Sequence, residues 1–253
     1  MKAVYPKVSI VLPAYNADKT IGRAIDSILQ QRYGEWELLI IDDGSTDDTN
    51  RIVKGYTGDP RVHLFAQDAN VGVSASRNIG LDAAIGGYVA FLDADDYWLP
   101  EKLEVQVNFM QRYDLIVSAT SYFREVEITK KRFIEKTMKS AGINEMLERN
   151  RMAHSTAMVK REVISNIRFE KTGHEDYVFW VRVLLHSQSR VRFIQRPLTV
   201  YTVRKGSVSA NKIRSAVWHW KNLRQDFSLP FTSAAKFFLS YALNSIRMGR
   251  LTR

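Results

Sequence analysis

Three carboxylates in four residues, Asp93-Ala94-Asp95-Asp96, follow the apolar run Tyr88 to Leu92. Carboxylates this close repel one another unless a cation or hydrogen bonds hold them. In an extended segment Asp93 and Asp95 share one side. Hard oxygen ligands of this kind suit Mg²⁺ or Mn²⁺ that also grips phosphates. The alternative is a solvated acidic turn capping the next helix. A second acidic turn, Asp42-Asp43-Gly44-Ser45-Thr46-Asp47, follows the run Glu37 to Ile41. One of its carboxylates suits a nucleobase or ribose donor. Gly44 to Asp47 also read as a plain turn and helix N-cap, which explains the Asp42-Asp43 pair less well. His174-Glu175-Asp176 opens a helical run. An acid there serves as general base if it faces a cleft, and the helix dipole is expected to keep its pKa from being high. Otherwise it is an ordinary N-terminal acidic turn. Arg204-Lys205-Gly206-Ser207-Val208-Ser209 combines two cations, a glycine and hydroxyls, a composition for phosphate oxygens or for a basic surface loop.

The elements that must position these residues alternate. Val8 to Leu12 reads as a buried strand stopped by Pro13, and Thr20 to Gln31 as a helix with apolar residues at helical spacing. Strand Glu37 to Ile41, helix Asp47 to Tyr56, strand Val62 to Ala66, helix Val73 to Ala84 and strand Tyr88 to Leu92 follow. A helix starts near Pro100, and Asp114 to Ala119 is a further strand. Repeated βα units with near-continuous apolar strands predict a mostly parallel sheet flanked by helices. Ligands of such sheets bind beyond the carboxyl ends of the strands. Pro13 to Asn16, Asp42 to Ser45 and Asp93 to Asp96 all follow strand ends, so they should converge. In the less regular second half, Lys130 to Lys139 reads as a mobile basic segment and Gly142 to Arg149 as a short helix. Val159 to Ile167 reads as a strand entering a helix, Glu175 to His186 as a helix, and Gln195 to Tyr201 as a strand.

The chain has 253 residues, 45% of them hydrophobic and 25% charged, which excludes a disordered chain. It has no cysteine, so disulfides, a thiolate nucleophile and a cysteine zinc site are excluded and the cytosol is favoured. The net charge is +10, and Lys205 to Arg253 carries +8 of it. Such a tail calls for an anionic partner. Two acidic turns at one edge disfavour nucleic acid, whereas a nucleoside diphosphate with a divalent metal satisfies both the acids and the bases. The dinucleotide fingerprint G-x-G-x-x-G, the P-loop, the G-x-S-x-G elbow and the H-E-x-x-H helix are all absent. The histidines, His63, His154 and His174 among them, lack metal-ligand spacing and read as structural. No secretory signal and no transmembrane run are expected.

Six segments in order resemble the family 2 inverting glycosyltransferases of the GT-A fold: VSIVLPAYN, ELLIIDDGSTD, NVGVSASRNIG, YVAFLDADDYWLP, HEDYVFW and YTVRKGSVS, over roughly residues 5 to 210. The resemblance implies a nucleotide-sugar donor, typically UDP-hexose, and Mn²⁺ or Mg²⁺. It implies that Pro13 and Tyr15 line the nucleotide pocket. Asp43, or Asp42, would bond the base, and Arg77 would help fix the nucleotide. Asp93 would face ribose and metal, and Asp95 the metal directly. Asp176, with Glu175 beside it, matches the catalytic base, and Arg204 the phosphate-contacting cation. No Q-x-x-R-W-type motif is present, which favours single transfer over processive synthesis. The implied role is bacterial O-antigen, capsule or exopolysaccharide synthesis on a glycan or lipid-diphosphate-linked sugar acceptor, at the inner face of the cell membrane.

The expected organisation is a GT-A domain over 1–210, with its nucleotide part at about 1–120 and its acceptor part at about 121–210. A basic helical extension occupies 211–253. Phe231 to Leu251 forms an amphipathic helix in projection: Lys236, Ser240, Asn244 and Arg247 fall on one side, and Ala235, Phe238, Leu239, Ala242 and Ile246 largely on another. It suits either an anionic bilayer surface or packing on the domain. The rival readings are a nucleotidyltransferase on a similar fold and a non-catalytic basic module that binds membrane or nucleic acid.

Overall fold

Strands β1 (Val8–Ala14) and β2 (Trp36–Asp42) are buried along their whole length. This is the signature of a sheet covered on both faces. Side chains alternate between two cores. Ile10, Leu12, Leu38 and Ile40 face the helices α1 (Ile21–Leu29), α2 (Thr49–Lys54) and α4 (Lys102–Arg112). Val11, Leu39 and Ile41 face α3 (Val73–Ala83), α5 (Ile143–Glu148) and α6 (Glu175–Ser187). This computed structural model describes residues 6–126, 131–135, 137–203 and 212–251.

The remaining strands are β3 (Val62–Ala66), β4 (Tyr88–Phe91), β5 (Tyr97–Trp98), β6 (Val117–Val126), β7 (Lys131–Glu135), β8 (Ser140–Ala141), β9 (Met158–Lys160) and β10 (Val191–Val203). The sheet runs β3-β2-β1-β4-β9-β6-β10-β5, with β7 beside β6 and β8 beside β10. The long ladders β1–β2, β2–β3, β1–β4 and β6–β10 are parallel. Short antiparallel pairs, through β9 above all, join the two halves. This is the expected flanked, mostly parallel sheet.

Several boundaries differ from the sequence reading. β1 does not stop at Leu12: Pro13 pairs with Ile41, and Ala14 with Asp42. Leu92 N–H bonds Val11 O, so odd-numbered residues of β1 face β4. β4 has ended at Phe91, so the missing N–H of Pro13 costs no ladder bond. Asp114 is not in a strand. It takes a left-handed turn (φ 46°) after α4, and β6 begins at Val117 and runs on to Val126. The basic segment expected to be mobile is instead β7, ordered by antiparallel pairing with β6; residues 127–130 and 136 lie outside the described set. The strand entering a helix expected at Val159 to Ile167 is β9 followed by a short 3₁₀ helix at Arg161–Ile164. β10 is longer than Gln195 to Tyr201 and absorbs Pro197 in a register shift.

The C-terminal helices α7 (Lys212–Lys221) and α8 (Phe231–Leu251) are joined through a π turn at Asn222–Asp226. Leu223 and Ala234 enter the core, and Phe237 and Phe238 pack on it. Leu239, expected with Phe238 on one apolar side, points outward with Leu243. The apolar residues of α8 therefore divide between two faces.

One buried charge stands out. Lys102 is fully buried, its Nζ lies 3.7 Å from the Trp98 ring centroid, and it has no hydrogen-bond partner among the described residues. Burial pushes its pKa well below the ordinary lysine value. The unfolded chain then binds a proton that the folded one releases, so this residue makes stability rise with pH up to about 10.4. Lys102→Met should stabilise the fold by about 1–3 kcal/mol and flatten that slope. Urea melts of both proteins across neutral to alkaline pH check this, and an unchanged or lower midpoint at neutral pH would contradict it.

Candidate active site

The three loops expected to converge do so. Asn16 and Thr46 lock the first two: Asn16 N–H donates to Ser45 Oγ (3.0 Å), and Thr46 N–H to Asn16 Oδ1 (2.9 Å). Pro13 is buried beneath this edge, and Tyr15 stands exposed on it. Asp42 accepts from Ser45 N–H (3.1 Å) and Asn50 Nδ2 (2.8 Å). Asp43 accepts the backbone N–H groups of Val71 and Gly72, at 2.8 and 2.9 Å. Both carboxylates thus have a building role: Asp42 ties the second loop to α2, and Asp43 ties it to the N-terminus of α3. Gly44 (φ 69°) makes this possible, since a Cβ there would come within 2.6 Å of the Ala69 carbonyl carbon.

The acidic turn after β4 is differentiated in a way its sequence does not show. Asp96 is buried and accepts Ser155 Oγ–H (2.6 Å) and Thr202 N–H (2.8 Å). Burial, with Asp95 and Asp93 adding, pushes its pKa well above the carboxylate range. Asp93 and Asp95 remain half-buried at the surface of the turn. Arg77 on α3, almost fully buried, donates to Asp93 Oδ1 at 2.8 Å. Arg23 on α1 holds the Asp95 carbonyl at 2.8 Å.

A cleft of about 400 Å³ opens beside this turn, with Asp93 and Asp176 in its walls. Tyr122, Arg149, Arg151, His154 and Tyr201 also line it. Asp176 sits in the first turn of α6, where Asn150 Nδ2 donates to it at 3.2 Å. Glu175 is not among the described cleft walls. The expectation that the helix end keeps this acid from a high pKa is overturned. Burial raises the Asp176 carboxyl, Asp93 adds to the rise, and Arg77 and the Tyr177 N–H oppose it without cancelling it. Desolvation outweighs the dipole of one helix turn.

His154, read from sequence only as structural, forms part of the same wall. Trp180 Nε1–H donates to its Nδ1 (3.2 Å), and Phe91 packs on its ring at 4.5 Å. Burial and then Arg77 hold it well below its ordinary pKa, so it is neutral. No spacing signal marked it, because its partners come from β4 and α6. Arg204 falls outside the described residues.

The turn that delivers Asp176 is braced from outside. Gly173 (φ 71°) and His174 (φ 58°) are both left-handed. Asn222 Nδ2 bonds Gly173 O at 3.2 Å, His174 Nε2 lies 3.3 Å from Ser215 O, and the His174 ring meets Trp218 edge-on.

Residues 9–168 match the family model described as glycosyl transferase family 2. The chain belongs to that family. An uncharacterized glycosyltransferase of Haemophilus influenzae is 35% identical over 94% of this chain and 96% of its own length. The Escherichia coli UDP-Glc:alpha-D-GlcNAc-diphosphoundecaprenol beta-1,3-glucosyltransferase WfaP is 34% identical over 83% of this chain and 82% of its own. Two solved structures share the fold. Staphylococcus aureus TarS 1-349 in complex with UDP-GlcNAc has a TM-score of 0.73 at 20% identity, covering 93% of this chain and 71% of that one. The Pyrobaculum calidifontis mannosyltransferase PcManGT, in complex with GDP-Man and Mn²⁺, has 0.70 at 22% identity, covering 95% and 70%. This glycosyltransferase is therefore of the GT-A type, and the nucleotidyltransferase and non-catalytic readings fall away.

Because a Cβ on Gly173 would come within 2.5 Å of the Trp218 ring, Gly173→Ala should cost about 1–3 kcal/mol by overpacking. Thermal melting checks this. An unchanged midpoint would show that α7 does not brace the Asp176 turn.

Proposed function

We propose that the chain is an inverting hexosyltransferase. It moves a sugar from a UDP-sugar to a hydroxyl of a lipid-diphosphate-linked glycan, at the inner face of the cell membrane, in bacterial surface-polysaccharide synthesis such as O-antigen, capsule or exopolysaccharide. The observation that carries this reading is that Asp93 and Asp176 border one cleft from different elements. The donor and acceptor classes rest on the substrates in the name of the Escherichia coli relative.

Asp176 takes the proton of the acceptor hydroxyl as that oxygen attacks the anomeric carbon. The nucleoside diphosphate departs from the opposite face, so configuration inverts. Its raised pKa suits the task, since a more basic carboxylate is the better proton acceptor. Arg77 fixes Asp93 through their ion pair. Tyr15 offers a ring for the base at the exposed edge, and Asp43 holds the adjoining loop. Arg204 is assigned to the leaving diphosphate by its motif alone.

Among the described residues no three His, Cys, Asp or Glu side chains gather as a cation cage. Mn²⁺ or Mg²⁺ needs none when one or two carboxylates share the cation with substrate phosphates. With Asp96 turned inward, Asp95 and Asp93 are the pair that fits. Bound there, a divalent cation would stabilise charge on the leaving diphosphate.

The test is release of nucleoside diphosphate across a panel of nucleotide sugars, with a lipid-diphosphate-linked sugar as acceptor, in Mn²⁺ and then in EDTA. UDP release that EDTA abolishes is expected. Asp176→Asn should lower turnover about 10²- to 10⁴-fold while Mn²⁺-dependent UDP binding persists. Full turnover by that variant would remove Asp176 from the role of base. In the parent enzyme, turnover should rise with pH through a limb displaced upward from the ordinary aspartate pKa and then level off, because only the ionised base acts.

A further inference from the structure

The outer faces of α7 and α8 carry large apolar side chains into solvent. Ile213 and Val217, one turn apart on α7, are 80% and 61% exposed. On α8, Phe231, Leu239 and Leu243 are 64%, 61% and 60% exposed. Between the helices lies an open groove of about 440 Å³, walled by Ile213, Ala216, Val217, Trp220 and Phe238. Exposed apolar surface of this extent marks a binding face. The same two helices and the turn between them expose Lys212, Arg214, Lys221, Arg224 and Lys236, and Asp226 is the sole acid from 212 to 251.

We propose that these two faces form a docking surface for an anionic lipid bilayer, with the apolar side chains entering the headgroup boundary and the cations meeting lipid phosphates. Charge selects this occupant. An anionic lipid layer complements apolar residues set among cations. A second copy of the chain would bring the same cations face to face across a two-fold interface, which is repulsive. No helix among the described residues is long and apolar enough to cross a membrane, so the contact is one of lying on the surface.

The inner face of α7 gives the surface its purpose. Ser215 and Trp218 on α7, with Asn222 of the π turn that follows it, hold the Gly173-His174 turn, two residues before Asp176. The docking face and the turn bearing the base are separated by one helix thickness, about 10 Å. A lipid-linked diphosphate sugar presented at the bilayer surface then lies near the cleft. That last step rests on the acceptor class proposed above; the surface itself rests on exposure and charge.

The test is co-sedimentation of the full chain with vesicles of phosphatidylcholine alone, or with about 30% phosphatidylglycerol, at low salt and at about 0.5 M salt. Binding to the anionic vesicles should be at least about tenfold tighter than to the neutral ones and should weaken in high salt. The pairs Ile213→Ser with Val217→Ser, and Leu239→Ser with Leu243→Ser, should each reduce it about tenfold. Lys212→Glu with Lys221→Glu should abolish the preference for anionic vesicles. Melting temperatures within a few degrees of the parent would confirm that the variants fold. Equal binding by parent and variants, or no binding by the parent, overturns the proposal. So does a concentration-dependent dimer in light scattering that the serine variants abolish. Metal-dependent donor turnover, measured without vesicles, is read separately. Turnover without vesicle binding removes the surface and leaves the transferase; vesicle binding without turnover does the reverse.

Discussion

The carboxyl group of Asp96 holds the two halves of the molecule together where they share a site. It lies on the turn after β4 and reaches Ser155 in the middle of the chain and Thr202 near its end. Ser155 in turn receives the Asp93 N–H, and its carbonyl accepts the Trp98 indole. Thr202 also meets Arg23 of α1, which holds the Asp95 carbonyl. A buried polar network is costly when half satisfied and rigid when complete. Here its completion turns one of three adjacent carboxylates inward and leaves the other two at the surface. The acidic edge thus owes its shape to a residue that does not face the cleft.

Electrostatics then sets different tasks for groups of similar chemistry. Asp93 is tied to a buried guanidinium, whereas Asp176 is desolvated and raised. Arg77 connects them, since its charge also lowers Asp176 and helps keep His154 neutral. One buried cation therefore acts on both aspartates and on the histidine of the cleft, while the fold around it supplies distance and burial.

Much of this could be read from sequence. β1, β2 and β4 are short apolar runs that end in prolines or acids, and parallel pairing forces their ends onto one edge. The pairs Asp93/Asp95 and Glu175/Asp176 were visible as carboxylates at element ends. What stayed hidden depends on contacts remote in sequence. β7 looks like a basic loop because its charged residues are balanced by partners on β6, Arg132 by Glu125 and Glu135 by Arg124. The burial of Asp176 comes from a cleft built by segments far from it in the chain, Asp93, Tyr122 and Tyr201 among them. The two-sided character of α8 eluded a helical projection because a projection assumes one partner, and the helix has a core contact on one side and a second apolar stripe on another. His154 carried no signal, since a lone histidine has no period.

The close fit of Gly173 against Trp218 has a consequence for how such a sequence can drift. Neither position is free to change alone. A side chain at 173 meets both the Trp218 ring and a left-handed backbone that side chains rarely adopt, and a smaller residue at 218 leaves a void beside the turn that carries Asp176. Related chains that keep this arrangement should therefore keep glycine at 173 together with a large ring at 218. The C-terminal segment is in this sense written into the turn that carries Asp176.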